Sequence, residues 1–454
     1  MKFALDVFAG DRLVAQIGHD PLADIWSLLY AQDWLDDPAA FPLSPALPLA
    51  APGQDSRSLD SRSIKRFIEH LLPEGHALDA AIAANGLAKS NVFGLIRALG
   101  TETAGILRFR DAQAGVDTVA AGQAMREIPI QELDARIADR ETPFTVWDGK
   151  VRMSVAGVQD KLLVYLDAPL DQGGRLFLVD GPRLASTHIL KPDLGHARLP
   201  HLAVNEHFCM TLARRIGLPA AEVALLRTPR PVLVVRRFDR IVRVQGGTAR
   251  VDRLHMVDAC QACDLPVSFK YERNLGKEAA VRDIREGMSF ERLFSLGALT
   301  ANTALARLAV LRWALFQFMI GNSDAHGKNF SFFVHPGGAL APTPWYDLVS
   351  VVQYGHFDTD LAMAFGDAFT FDEVTPFALA YFATRCGIER RLMRREAQRL
   401  ASAAVVAAAE LARSDIYQDD ENAFVTGLAA FIGKQADCLA ALAREAATIP
   451  ASLL

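Results

Sequence analysis

The sequence predicts an α+β protein in a bilobal arrangement, with an N-terminal α/β subdomain, a β-containing middle and a mostly helical C-terminal lobe. Three observations carry this. Strand-like runs cluster before residue 250, and Ala- and Leu-rich helical patterns dominate from His255 onward. Phe316 to Val334, FQFMIGNSDAHGKNFSFFV, reads as an apolar helix, a short polar loop and an apolar strand, and places a candidate site where the two halves meet. The expected divisions are residues 1–111, 112–250 and 251–454.

Taken in order, Lys2 to Phe8 is a strand, Ala9-Gly10-Asp11 a turn and Arg12 to Ile17 the hairpin mate. Pro38 to Pro52 holds five prolines, which denies it helix or central strand and suggests a loop laid over a surface. Ile64, Phe67, Ile68 and Leu71 recur at helical spacing within Ser61 to Leu72, and Pro73 and Gly75 close that helix. A second helix covers Val92 to Leu99, and Gly100 to Phe109 returns to strand. This first stretch carries no catalytic constellation and reads as a scaffold or docking module.

Met153 to Lys161 reads as a loop leading into a Leu162–Leu166 strand. Thr187 to Lys191 alternates polar and apolar residues, and Pro192 holds Lys191 in extended backbone at a strand end. That lysine can reach a nucleotide's phosphates or simply guard an edge strand against aggregation. Val204, Phe208, Leu212 and Ile216 share one helix face ending at Gly217. Glu206, near the helix start, is either a partner for Lys191 or a surface carboxylate. Val232 to Val235 is a strand leading to Arg236-Arg237-Phe238-Asp239-Arg240, a possible hinge, before a Gly246-Gly247 turn. Ala401 to Leu411 and Phe424 to Ala443 are strong helix formers with structural alanines.

The chemistry is expected in the loop, where Asp324, His326, Lys328 and Asn329 crowd together. Asp324 and Asn329 have the D-x-x-x-x-N spacing of a kinase catalytic loop, where the carboxylate takes the acceptor hydroxyl and the amide holds magnesium. By itself the spacing also suits a polar turn whose side chains satisfy backbone donors. Pro344-Trp345-Tyr346-Asp347 adds a second carboxylate. Two oxygen donors, a lysine and a loop are the minimum for magnesium-assisted phosphoryl transfer. The chain contains no G-x-G, so neither a Rossmann fingerprint nor the usual kinase lid can be claimed, and Gly327-Lys328 is followed by Asn329, so a Walker A loop also fails.

A net charge of −5 argues against a surface built for general nucleic-acid binding. The basic run Arg390-Arg391-Leu392-Met393-Arg394-Arg395 reads as a solvated helix face. Five scattered cysteines fit a reducing compartment rather than a disulfide framework. Cys260 and Cys263 form a lone C-x-x-C, read as a buried pair on a helix and not as a zinc site. Asp6 interrupts the first apolar stretch and no later segment reads as a membrane span, so a cytoplasmic protein with no membrane partner is expected.

The blocks SVAGVQDK, STHILKP, NEHFCMTLARRIGLP, RRFDR, HMVDACQ, IGNSDAHGKNFSFF and PWYDLVS occur in the order and approximate spacing of the HipA-like serine/threonine kinase toxins, and the chain resembles that family over most of its length. The PLSPALPL segment and IEHLLPEG helix resemble its N-terminal subdomain. The resemblance implies a protein-kinase-like fold using ATP and Mg2+, with Asp324 as the catalytic aspartate and Asn329 and Asp347 as the metal ligands. It implies that Lys191 contacts ATP phosphates and that Ala156, Gly157, Val158, Gln159, Asp160 and Lys161 form the phosphate-binding loop. Arg236, Arg237 and Phe238 would be the hinge receiving adenine, with His326, Gly327, Lys328, Asn329 and Tyr346 completing the nucleotide pocket. Ser154 matches a loop serine that family members autophosphorylate, where a phosphate of about −1.5 to −2 charges would keep the loop from closing over ATP. From the residues alone, Ser154 is a hairpin hydroxyl. Arg236 stands where the family often has glutamate. The implied partners are a HipB-like helix-turn-helix antitoxin, operator DNA through that antitoxin, and a protein substrate such as an aminoacyl-tRNA synthetase. A small-molecule phosphotransferase and a DNA-bound co-repressor are the rival readings.

Overall fold

The computed structural model describes residues 3–49, 59–113, 124–139, 141–152, 160–180, 184–195, 197–245, 248–357 and 359–454. Ser154, Ala156, Gly157, Val158 and Gln159 lie outside the described residues, as do Gly246 and Gly247. The chain forms two compact units. The first comprises Met1–Leu194, Leu226–Val257 and Phe332–Leu340, and the second Gly195–Leu225, Asp258–Ser331 and Ala341–Leu454.

In the first unit, strands Phe3–Ala9 and Arg12–Asp20 pair antiparallel around Gly10, whose φ of +62° suits glycine. Leu5, Val7 and Ala9 alternate into the core, as a half-buried strand requires. Ile25–Tyr30 and Leu107–Asp111 complete a four-stranded sheet, one on each side of the hairpin. Helix Ser61–Glu69 starts on Asp60, whose carboxylate accepts from the Arg62 amide, and buries Ile64, Phe67 and Ile68. That helix ends before Pro73 as expected, and Gly75–Asn85 is a further helix, whose alanine-rich sequence has little periodicity to betray it. Val92–Leu99 is helical as expected, capped by Asn91.

Of the proline-rich stretch, residues 38–49 are described; they form the expected loop, but much of it is buried. Phe41, Leu43 and Leu47 are buried, because Tyr30 supplies hydrogen bonds that prolines deny the backbone. Its hydroxyl accepts from the Leu43 amide at 2.9 Å and donates to the Leu47 carbonyl at 2.5 Å. His255 stacks on Phe41 and donates from Nε2 to the Leu43 carbonyl at 2.9 Å. Burial pushes this imidazole down to about 4, so it folds neutral. The unfolded chain takes up a proton near the ordinary value of about 6.5. Stability from neutral His255 is therefore complete above that pH and is lost as pH falls toward the folded value. His255→Gln should flatten the decline of the thermal midpoint across this window, measured by circular dichroism.

Five strands of a second sheet run in the order Pro231–Arg236, His188–Pro192, Leu162–Leu166, Leu176–Asp180 and Ala124–Ile128, each antiparallel to its neighbour. Leu162, Val164, Leu176, Leu178, Leu190, Val232 and Val234 meet Leu133, Ile137 and Trp147 in one core. His188–Pro192 is an interior strand, which rules out the edge-guard reading of Lys191, a residue only 5% exposed.

The expected strand from Gly100 begins only at Leu107, because Thr101 to Gly105 is committed to a buried ion network. Asp239 accepts from Arg237 Nη2 at 2.8 Å, from Arg240 Nη1 at 2.7 Å and from the Gly105 amide at 2.8 Å. Glu102 accepts from Arg240 Nη2 at 3.1 Å, Arg253 Nη2 at 2.7 Å and the Ser186 hydroxyl at 2.9 Å. The Thr103 and Gly105 carbonyls accept from further guanidinium nitrogens of Arg237 and Arg240. Burial pushes the Glu102 carboxyl up, but Arg253, Arg240 and Arg237 outweigh it and hold the group down to about 2. For Arg240 burial and the neighbouring Arg237 prevail, bringing it down to about 9.

In the second unit, helix Leu202–Arg215 buries Val204, Phe208 and Leu212 as the spacing predicts, but also Asn205, Glu206 and His207. Glu206 is 1% exposed, so it is not a surface carboxylate. Asn205 donates to the Ser350 carbonyl at 3.0 Å and accepts from the Ser350 amide at 2.9 Å, fixing the segment after Asp347. Helix Thr303–Ile320 is capped by Asn302 and is buried along its second half. It and Asp420–Ala446 are long and apolar enough to cross a membrane by length and composition. Burial accounts for the first, at 61% of its window, and a single apolar stripe for the second. The helix bearing that stripe, Val425 to Ala446, packs on helix Arg390–Ala412, which buries Ala397, Ala401, Ala404 and Ala408. Arg391, Arg394 and Arg395 face outward as a solvated face.

Candidate active site

The catalytic loop begins where helix Thr303–Ile320 stops. Gly321 takes φ +68°, and a Cβ there would stand 2.5 Å from Val352 Cγ2 and 2.8 Å from the Phe431 ring, so only glycine lets the chain turn. Asn322 then works in both directions. Its Nδ2 donates to Gln317 Oε1 at 2.9 Å and its Oδ1 accepts from the Asp324 amide at 3.1 Å.

From Gly321 to Phe332 every residue is buried except Asp324. The loop is a rigid mount presenting one carboxylate. The Asp324 carbonyl accepts from the His326 amide at 2.8 Å and from Asn329 Nδ2 at 3.1 Å, and Gly327–Asn329 forms a single tight helical turn. The Asn329 amide nitrogen is thus spent inside the loop, which turns its oxygen away from Asp324. Tyr346 pins the turn from the other side, its hydroxyl donating to the Lys328 carbonyl at 2.7 Å and lying 2.5 Å from Ser331 Oγ. Burial raises the Tyr346 phenol well above its ordinary value. Asp347 follows with φ +53°, left-handed backbone that a non-glycine residue adopts at a cost of about 1 kcal/mol or more.

Lys328 is buried with its Nζ 3.8 Å from Asp258 Oδ2. Asp258 also caps the short helix Ala259–Ala262 through a reciprocal pair with Gln261. The C-x-x-C is therefore a packing element: Cys260 is buried, Cys263 is half-buried at the helix end, and both are free thiols. Burial pushes the Cys260 thiol well above its ordinary value. A Cβ on Gly327 would meet Cys260 Sγ and Met288 Cγ at 2.6 Å each. Gly327→Ala should consequently cost about 1–3 kcal/mol in chemical denaturation by overpacking and lower phosphoryl transfer with it.

Among the described residues no three His, Cys, Asp or Glu side chains cluster as a self-sufficient metal site. The donor set fits magnesium nonetheless. Magnesium takes one or two protein oxygens and completes its shell with phosphate and water, and the Asn329 amide and Asp347 carboxylate are oxygen donors of that kind.

Of the residues singled out in the sequence, the second unit gathers Asp324, His326, Gly327, Lys328, Asn329, Tyr346 and Asp347. Asp160, Lys161, Lys191, Arg236, Arg237 and Phe238 belong to the first unit. There the Arg237 amide donates to the Thr187 carbonyl and its guanidinium is built into the ion network, while Phe238 meets Phe333 edge-on at 5.9 Å. Sequence reasoning missed Asp258, which its HMVDACQ block contains, and Tyr271. The Tyr271 hydroxyl donates to Asp324 Oδ1 at 2.7 Å, and no spacing or motif marks it.

Comparison with known proteins defines the class. The model of the HipA N-terminal domain matches residues 5–110, and that of the HipA-like C-terminal domain matches residues 153–408. The serine/threonine-protein kinase toxin HipA of Shewanella oneidensis is 41% identical, covering 90% of this chain and 89% of its own. A putative kinase of Sinorhizobium fredii is 34% identical over 91% of this chain and 94% of its own. A solved structure of the Shewanella oneidensis HipA, HipB and operator DNA complex superposes with a TM-score of 0.86 at 38% identity, covering 98% of this chain and 100% of that one. The class is that of the serine/threonine-protein kinases. The chain belongs to the HipA family, and carries that family's N- and C-terminal domains in order.

Proposed function

We propose that this chain transfers the γ-phosphoryl group of ATP to a serine or threonine hydroxyl of a protein, as the toxin of a toxin–antitoxin module. The observation that carries the reading is the single exposed carboxylate, Asp324, on an otherwise buried loop whose every turn is hydrogen-bonded. Asp324 orients the acceptor hydroxyl and takes its proton as the acceptor oxygen bonds to phosphorus and ADP leaves. Asn329 and Asp347 hold magnesium, which neutralises phosphate charge when bound. Lys191 contacts the phosphates, Ala156 to Lys161 is the phosphate-binding loop, and the main chain at Arg236 to Phe238 receives adenine. Positioning and charge account for the rate, since phosphoryl transfer asks little covalent chemistry of the protein.

Ser154 is the self-inactivating phosphosite in this reading. The partner is a helix-turn-helix antitoxin that tethers the toxin to operator DNA, a pairing supported by the HipB and DNA in the Shewanella complex. The substrate is a translation component such as an aminoacyl-tRNA synthetase. The test is incubation with labelled ATP and magnesium, beside an Asp324→Asn variant, with phosphate mapped by mass spectrometry. Phosphate on Ser154 in the wild type alone supports the reading; tight ATP binding with no transfer to any protein refutes it.

A further inference from the structure

The segment Phe269 to Glu272 is held at successive residues, and at Lys270 its backbone bonds to the catalytic loop. The Met288 amide donates to the Phe269 carbonyl at 2.8 Å, and the Lys270 carbonyl accepts from the Gly327 amide at 3.0 Å. The Glu272 amide donates to the Ala362 carbonyl at 2.9 Å, and the Glu272 carboxylate accepts from Arg285 Nε at 2.6 Å and the Ala364 amide at 2.8 Å. A Cβ on Gly287 would run into the Tyr271 carbonyl, so the backbone at Tyr271 is closed in from behind. Its ring stands edge-on to His326 at 5.2 Å, and its hydroxyl reaches Asp324 Oδ1 at 2.7 Å.

Such mooring has a purpose if the carboxylate needs holding. Asp324 is the exposed residue of its loop, and the second torsion of an aspartate is broad. Catalytic groups lose rate when they wander from the productive geometry. Among the described residues no group donates to Oδ2.

We propose that Tyr271 is a positioning residue for the transfer reaction: its hydroxyl pins Oδ1 of Asp324 so that Oδ2 faces the acceptor hydroxyl and takes its proton. This rests on Asp324 being the catalytic aspartate. The phenol forms no bond to phosphorus and is neither consumed nor deprotonated.

The test is Tyr271→Phe in the full chain, which keeps the ring against His326 and removes one oxygen. The expected result is a kcat lower by about ten- to a hundredfold, the worth of a hydrogen bond to a charged group. The KM for ATP, ATP affinity by calorimetry and the thermal midpoint should stay at wild-type values. Wild-type kcat in Tyr271→Phe overturns the proposal. So does a kcat loss accompanied by a lower midpoint and weaker ATP binding, which marks a structural role, and so does phosphate mapped on Tyr271, which makes it an acceptor. Asp324→Asn in the same assay separates the two levels. Wild-type transfer in that variant refutes the reading of Asp324 itself, whereas its loss beside an unaffected Tyr271→Phe refutes only the role of Tyr271.

Discussion

Asp324→Asn is expected to lower phosphoryl transfer by about 10²–10⁴-fold, the range supplied by a positioned proton acceptor, while leaving the fold and ATP binding intact. The reason lies in how little the carboxylate does for the structure. The turns of the loop are held by the Asp324 amide and carbonyl, both kept in the variant, and by Asn322, Asn329 and Tyr346. The one side-chain bond, from the Tyr271 hydroxyl, can be accepted by an asparagine oxygen. Surface substitutions away from caps and networks usually fall within about 0.5 kcal/mol, so the thermal midpoint should be unchanged. The measurement is transfer from labelled ATP set beside calorimetric ATP affinity. A variant that loses both transfer and ATP binding would show Asp324 to be a ligand-holding residue instead.

The second large effect is on stability. Asp239→Asn preserves shape but strips the charge that Arg237 and Arg240 share, leaving two guanidinium groups, each about nine-tenths or more buried, without their main carboxylate. Breaking a buried ion pair from one side costs about 3–5 kcal/mol, and urea unfolding should show a loss of that size. Glu102→Gln should cost less, because Glu102 is 25% exposed and water can take up part of its role. If Asp239→Asn unfolds at the wild-type urea midpoint, the network contributes no stability.

Much of the local structure was legible because it rests on local causes. The Phe3–Ala9 hairpin, the Val92–Leu99 helix and the helix-loop-strand around Asp324 follow from periodicity and turn residues. What escaped depends on partners distant in sequence. Phe41 and Leu43 are buried because Tyr30 and His255 satisfy that stretch, and His255 lies more than two hundred positions from Leu43. Thr101 to Gly105 looks strand-like until Arg237, Asp239, Arg240 and Arg253 draw it into the ion network. Tyr271 lies 53 positions from Asp324 in a segment with no periodic signal, so its hydroxyl was invisible to any reading of spacing.

The interleaving of the two units bears on how the chain is made. The first unit is completed only by Phe332–Leu340, although most of it is finished by Val257, and the second begins at Gly195 and waits for Ala341–Leu454. A nascent polypeptide leaving the ribosome therefore cannot close either unit from a contiguous stretch, as a string of independent domains could. Asp324 emerges before the first unit has its last strand, and Asp347 only just after it. Neither unit is complete, and Asp324 and Asp347 are not both seated in the second, until translation has passed Ala341.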